Sequence, residues 1–155
     1  MTTLMAINAR FVHTNLVSRD WKRLVRFYCD VFACAPRGPE RDLSGEWLEN
    51  VTALPGARLR GVHLGLPGFP DDGPTLEIFS YDEMPERDHP QPNDPGFSHI
   101  AFAVEDVDAA LEAVLAAGGS KVGDIAMNEV RGVGSLRVVY ARDPEGNIVE
   151  LQNWS

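Results

Sequence analysis

The chain has 155 residues, of which 44% are hydrophobic and 24% are charged, and these values are typical of one ordinary globular domain or of two half-domains sharing a core. The formal net charge is −9, from 14 basic and 23 acidic residues. This balance argues against a nucleic-acid partner, because phosphate binding requires clustered Lys and Arg. No apolar run approaches the roughly 20 residues that span a bilayer, and Met1 to Ala9 lacks the features of a signal peptide. We therefore expect a cytoplasmic protein without a membrane partner.

The first half begins with a strand that leads into an amphipathic helix. Alternation of side chains predicts the strand over 10–17, with His13 and Asn15 on one face. Ser18 is a suitable N-cap for the helix that follows, and Pro36 is expected to end it.

The rest of the first half contains an irregular segment and two further strands. Residues 40–56 are interpreted as an inserted, lid-like segment with a possible short helix around Trp47. Strands are predicted over 58–66 and 75–81, with a Gly/Pro-rich turn between them. The pattern does not determine which face of its strand His63 occupies.

The second half repeats this order after a proline-rich linker at 84–96. A strand is predicted over 97–104, with His99 on the same face as Ala101. The remaining predicted elements are a helix capped by Asp106 and ended by Gly118-Gly119, strands around 121–126 and 135–142, a turn at 143–146 and a last strand over 147–153.

Each half therefore predicts the element order β-α-β-β-β, and the fold class is α+β. The chain divides into a first βαβββ module (1–83, including the 40–56 insertion), a linker (84–96) and a second βαβββ module (97–155). We expect the two modules to form a curved, barrel-like mixed sheet with the helices outside.

Each half also supplies one histidine and one glutamate at corresponding positions. These are His13 and Glu77 in the first half, and His99 and Glu150 in the second. The apolar neighbours of all four face the helix layer, so the four side chains face away from it and point inward if the sheets curve into a trough. A carboxylate in such a trough needs a cation. The sequence therefore predicts a divalent metal site with these four ligands.

The donor set indicates the kind of metal and the chemistry. Two imidazoles and two carboxylates suit Ni, Co, Mn, Fe(II) or Zn better than Ca or Cu(I). Octahedral coordination leaves two open positions for substrate oxygens, and either Glu77 or Glu150 could detach to act as a base beside an acidified carbon. Asn15 and Phe79 share a face with the ligands and Trp47 lies on the lid-like segment, so these three are assigned to substrate binding.

These features resemble the vicinal oxygen chelate superfamily, which includes glyoxalase I, methylmalonyl-CoA epimerase and ring-cleaving dioxygenases. The resemblance covers nearly the whole chain and is strongest over 96–102, with its Asp106 helix, and over 143–151. It implies a small-molecule substrate, a homodimer and a metal held by residues matching those four. The sequence leaves open whether the site forms within one chain or across the dimer.

The resemblance implies three classes of function. The first is a lyase or isomerase of the glyoxalase or epimerase type, which abstracts a proton beside a metal-chelated carbonyl. The second is an Fe(II)-dependent ring-cleaving dioxygenase, and the third is a non-catalytic small-molecule binding or resistance protein. Dioxygenases of the superfamily use two His and one Glu, and drug-binding members usually lack the ligands. The presence of Glu77 therefore favours the first class.

Overall fold

The computed structural model describes residues 5–155. Residues 1–4 lie outside the described residues. They are the first residues of the predicted first module and of the segment from Met1 to Ala9, which was predicted not to be a signal peptide. No helix in the described range is long and apolar enough to cross a membrane. The elements are, in order, β1 (His13–Val17), α1 (Trp21–Phe32), β2 (Ala35–Ser44), α2 (Glu46–Thr52), β3 (Arg58–Gly65), β4 (Thr75–Tyr81), β5 (His99–Ala103), α3 (Val107–Ala116), β6 (Ser120–Lys121), β7 (Ala126–Val130), β8 (Gly134–Arg142) and β9 (Ile148–Trp154).

The strands form two sheets, and between residues 5 and 155 they do not close into a barrel. The first sheet has the order β1-β4-β3-β2, and the second has β5-β9-β8-β6 with β7 also paired to β8. In each sheet the first strand of its half runs parallel to the last, while the other pairs are antiparallel. The α+β class is therefore confirmed, and each half contributes one separate sheet.

The strand predictions are accurate where alternation is clear and wrong where it is broken. β4 has the bounds predicted for it. β2 was not predicted, because Gly38 and Pro39 lie where its register with β3 shifts and interrupt its alternation. It takes up the first residues of the 40–56 segment, and α2 occupies much of the rest. The strand predicted at 121–126 is wrong, because β6 ends at Lys121 and β7 begins at Ala126.

The predicted N-cap residue is confirmed for the helix of the second half and wrong for the helix of the first. Asp106 caps α3 as predicted, accepting a 3.0 Å hydrogen bond from the backbone N–H of Ala109. The prediction that Ser18 caps α1 is wrong, because Asp20 accepts the bond from the N–H of Arg23. α1 also ends earlier than a stop at Pro36 would place it, through a left-handed Ala33.

One hydrophobic core joins the two halves. α1 and α3 contact each other, and each packs on the face of a sheet opposite to the candidate site. The Phe32 ring from α1 stacks on the Phe102 ring from β5 with centroids 4.0 Å apart. The largest fully buried side chains of this core are Tyr28, Leu24, Leu64, Leu76, Ile78, Leu151, Val107, Val114, Val139 and Val149.

Two polar contacts tie the start of the first half to the last turn of the second. The Tyr28 hydroxyl donates to the Asp143 carboxylate at 2.7 Å. The Ser18 hydroxyl, which is buried, donates to the Glu145 carboxylate at 2.8 Å. Ser18 therefore contacts the other half of the chain, and its hydroxyl also accepts a 3.1 Å hydrogen bond from the backbone N–H of Asp20, the N-cap of α1.

Candidate metal centre

The face of the first sheet away from α1 carries three possible ligands on neighbouring strands. Glu77 on β4 lies opposite Asn15 on β1 and opposite His63 on β3. His13 pairs with the residue two positions before Glu77, so both imidazoles flank the carboxylate on the same face. Alternation along each strand and the parallel β1–β4 pairing thus bring these residues together.

Glu77 is held between the two histidines. Its Oε1 lies 2.8 Å from His13 Nε2, and its Oε2 lies 2.8 Å from His63 Nε2. The Asn15 amide donates to Oε1 at 3.4 Å. Only 8% of Glu77 is exposed, and a carboxylate that is so buried requires charge-assisted partners or a cation. One donor atom from each of His13, His63 and Glu77 lies within 4.8 Å of the other two, the one such group of three among residues 5–155.

His63 has a second contact that fixes its ring. Its Nδ1 lies 3.1 Å from the Thr75 hydroxyl, which leaves Nε2 facing Glu77. Burial lowers the pKa of His63, and the charge of nearby Arg41 acts in the same direction, while Glu77 opposes them. A neutral imidazole with an oriented ring is the form that binds a metal ion.

The second sheet carries a matching but looser pair. His99 Nε2 on β5 lies 3.5 Å from Glu150 Oε1 on β9. The His99 ring packs against Tyr140, with centroids 4.8 Å apart. Burial raises the pKa of the Tyr140 phenol, and the charge of the neighbouring Glu150 raises it further. The Gln152 amide also donates to Glu150.

The two sheets correspond position by position. His13 and His99 occupy the same place on the first strand of each half, and Glu77 and Glu150 the same place on the last. Next to the glutamate, however, the first sheet carries a histidine and the second carries Tyr140. The two faces are thus alike in their His–Glu pair and different in the third residue.

The four predicted ligands lie as two His–Glu pairs, one on each sheet. His99 and Glu150 are not part of the cluster formed by His13 and Glu77 in the described part of the chain. His13 lies on β1 and His99 on β5, and among the described residues each of these strands is hydrogen-bonded to another strand on one side only. Each sheet therefore presents its pair beside a free edge.

The residues predicted to bind substrate differ in their surroundings. Asn15 contacts Glu77. Phe79 is buried in a small cluster with Leu48 of α2, and its ring lies 5.9 Å from that of His63. Trp47 lies on α2 and is 54% exposed. Asn15 and Phe79 thus border the His–Glu cluster, whereas Trp47 lies at the surface of the segment above it.

His63 is the member of the cluster that the sequence did not assign. Its face depends on the register between β3 and β4, which the sequence does not display directly. The signal available was that Glu77 and His63 lie on strands joined by one turn, 14 positions apart. An even separation places two residues of a hairpin on the same face when the turn itself is regular.

The donor set fits a divalent transition metal. Imidazole nitrogens with carboxylate oxygens suit Zn, Ni, Co, Mn or Fe(II). The buried Glu77 between two imidazole nitrogens is the observation that supports this fit, because the cluster concentrates donors at one point.

The protein has an α+β fold with two sheets, each of which carries a His–Glu pair, and the first sheet adds a third possible metal ligand. Residues 10–151 match the Glyoxalase/Bleomycin resistance protein/Dioxygenase superfamily, and the chain belongs to this superfamily.

Relatives of known sequence or structure agree with this class. A "Probable lactoylglutathione lyase" of Vibrio parahaemolyticus is 25% identical over 146 residues, which span 93% of this chain and 90% of that protein. A glyoxalase family protein from Bacillus cereus has a similar structure, with a TM-score of 0.75, 21% identity and coverage of 99% of this chain and 98% of that one. Glyoxalase I from Leishmania major gives a TM-score of 0.60 at 21% identity, with 94% and 87% coverage. The structural likeness concerns the fold.

Proposed function

We propose that this protein is a metal-dependent lyase or isomerase of the glyoxalase type, which removes a proton from a carbon beside the carbonyl of a small molecule. The observation that carries the proposal is the recurrence of one His–Glu pair at the same register on both sheets. His13 pairs with the residue two positions before Glu77. In the second sheet His99 pairs with the residue two positions before Glu150. The likeness to a probable lactoylglutathione lyase supports the same class.

We further propose that the complete centre forms in a homodimer. Within residues 5–155, β1 and β5 each have one edge without a partner strand, and each carries one of the histidines. If the β1 edge of one protomer lies beside the β5 edge of its partner, both His–Glu pairs face one cavity. Apolar side chains at the starts of these strands are exposed in the single chain, namely Phe11, Val12 and Phe97. An exposed apolar group of this kind favours a partner surface.

The two glutamates are suited to different roles. Glu77 is fixed by His13, His63 and Asn15, so it is assigned as a ligand. Glu150 makes a longer 3.5 Å contact to its histidine, and is assigned as both ligand and base. A divalent ion at this position would polarise the substrate carbonyl and stabilise the negative charge that develops on its oxygen.

The remaining residues of the site would position the substrate. Phe79 and Asn15 border the cluster and would line the cavity, with Trp47 at its rim on α2. The Tyr140 phenol stays protonated because its pKa is raised, so it donates to Glu150 and keeps that carboxylate oriented.

The proposal is tested with Glu150→Gln in protein stripped of metal and reloaded with Ni, Co, Zn or Mn. Hemithioacetals, 2-oxo thioesters and acyl-CoA epimers are screened as substrates. The variant should lose turnover because an amide cannot accept the proton, while metal binding weakens but persists. Glu129→Gln is the matched control, since Glu129 is an exposed residue of β7. Full activity in Glu150→Gln would contradict the assignment.

A second candidate function is Fe(II)-dependent oxygenation. His13, His63 and Glu77 lie together as two histidines and one carboxylate, the donor set found in many non-haem iron oxygenases. Oxygen consumption with catechols that requires iron, and that no other metal supports, would favour this candidate over the lyase.

A further inference from the structure

We propose that His63 is a direct metal ligand, so that the first module contributes three donors, His13, His63 and Glu77, and the complete centre has five. The inference rests on the proposed function in one respect, because it assumes that His13 and Glu77 bind the ion. It adds a residue of β3 to a set otherwise drawn from the first and last strands of each half.

The position of His63 is equivalent to that of His13 with respect to the carboxylate. Both Nε2 atoms lie 2.8 Å from Glu77, one on each oxygen. The two rings meet edge to face with centroids 5.8 Å apart, so the nitrogens converge without stacking. One donor atom of His63 lies within 4.8 Å of donor atoms of both Glu77 and His13, so an ion bound by those two residues is within reach of the His63 imidazole.

Thr75 gives His63 the support that metal-binding histidines need. A ligating imidazole usually donates its other N–H to an oxygen, which fixes both ring orientation and tautomer. The Thr75 hydroxyl lies 3.1 Å from His63 Nδ1 and is buried. Because a hydroxyl both donates and accepts, Thr75 can donate to Nδ1 while Nε2 carries the proton, and accept from Nδ1 once Nε2 binds an ion.

The second module differs at this position, and the difference makes the centre asymmetric. Tyr140 takes the place of His63 opposite Glu150, and a protonated phenol is a donor to that carboxylate rather than a ligand. The first module alone then holds an ion through three donors, while the second adds two. With five protein donors, a six-coordinate ion would have one position left for a substrate oxygen.

The test uses Zn²⁺ and the 155-residue chain in its metal-free form. His63→Gln removes the imidazole, and Thr75→Val removes only its oriented partner, so that Thr75 is tested as a positioning residue. His89→Gln is the matched control, because His89 is an exposed histidine of the linker. Affinity for Zn²⁺ is measured by competition with a chelator, and the ring nitrogens are followed by ¹⁵N NMR.

Zn²⁺ affinity should fall at least about tenfold in His63→Gln and about tenfold in Thr75→Val, and stay unchanged in His89→Gln. On addition of Zn²⁺ to the unmodified protein, the Nε2 resonance of His63 should move to the position of a metal-bound nitrogen, with Nδ1 protonated. His99→Ala should retain Zn²⁺ binding at reduced affinity, because four of the five donors remain.

Two results would overturn the inference, and they differ in what they mean for the proposed function. If His13→Ala weakens Zn²⁺ binding while His63→Gln binds normally and the His63 resonances do not move, His63 is not a ligand and the proposed function stands. If the unmodified protein binds no divalent metal, both fail. If a variant does not fold, the ¹⁵N NMR measurement of His63 in the unmodified chain decides the test instead.

Discussion

The Tyr28 hydroxyl donates a 2.7 Å hydrogen bond to Asp143, and this bond joins the first helix to the last turn of the chain. Both residues are buried. Burial raises the pKa of Tyr28 well above its ordinary value, and it also raises the pKa of Asp143. The Asn147 side chain and two backbone N–H groups complete the partners of this carboxylate. The Tyr28–Asp143 bond thus belongs to a polar cluster at the core between the two halves, in which both carboxylate oxygens of Asp143 accept hydrogen bonds.

Replacing Tyr28 by Phe should lower the free energy of unfolding by about 1–3 kcal/mol, because a buried carboxylate loses one donor that water cannot replace. Urea denaturation measures the change. Tyr81→Phe is the control, since the Tyr81 hydroxyl makes no side-chain hydrogen bond within the described residues, and it should change stability by less than about 0.5 kcal/mol. Equal effects of the two substitutions would argue against a special role for the Tyr28–Asp143 bond.

The Cys34 thiol should make stability depend on alkaline pH. Burial raises the pKa of Cys34 from 9.0 to about 12, and the neighbouring Cys29 adds to this. The unfolded chain therefore loses this proton near pH 9, while the folded chain keeps it. The contribution of Cys34 to stability is complete below pH 9 and is lost as the pH rises through about 12.

Replacing Cys34 by Val removes this titration and keeps an apolar side chain at a buried position. The free energy of unfolding of the unmodified protein should then fall more steeply between pH 9 and pH 12 than that of the variant. Urea titrations at several pH values measure both slopes, and other ionisations cancel in the comparison. If the free energy of unfolding falls equally steeply with pH in both proteins, the Cys34 thiol has the same pKa in the folded and the unfolded state.

Much of the fold follows from alternation and helix caps in the sequence. β4 and the Asp106 cap of α3 were predicted as they stand, because each depends on residues near in sequence. β2 was missed because Gly38 and Pro39 shift its register, so its pairing with β3 comes from the partner strand rather than from its own pattern. Ser18 was misassigned because its partner, Glu145, lies in the other half of the chain.

The candidate site was predicted less completely, for a similar reason. The His–Glu pairs follow from the internal repeat, since the same residues return at the same place in each half. The face of His63 depends on strand register, and the separation of the two pairs depends on how the sheets are arranged in one chain. The local sequence pattern contains neither the strand register nor the arrangement of the two sheets. The sequence therefore predicts which histidine and glutamate recur in each half, but it does not predict that His63 joins the first pair.

The protein should be a dimer in solution, and a charge at the start of β5 should separate the protomers. Phe97 is fully exposed in the single chain and lies two residues before the start of β5. Burying an aspartate at a protomer interface is unfavourable because the charge loses its water. Light scattering after gel filtration should give a dimer for the unmodified protein and a monomer for Phe97→Asp.

Val133→Asp is the control for this substitution, because Val133 is also exposed but lies in the turn between β7 and β8, away from both edges. It should leave the dimer intact. A monomeric unmodified protein, or a dimeric Phe97→Asp variant, would contradict the proposed arrangement.

If each centre combines the first module of one protomer with the second module of its partner, two inactive variants should complement each other. His13→Ala damages the first module and His99→Ala the second, so each variant alone has only damaged sites. In a mixed dimer, one site receives both substitutions and the other receives neither. Random exchange of equal amounts makes half of the dimers mixed, so about a quarter of all sites should be intact.

The measurement is substrate turnover after the two variants are mixed, mildly denatured and refolded together. Activity should rise from that of the separate variants to about a quarter of the unmodified value. A mixture of His13→Ala with Glu77→Gln is the control, because both substitutions lie in the first module and every site in the mixed dimer remains damaged. If that control recovers as well, or if the first mixture does not, the centre does not draw on two protomers.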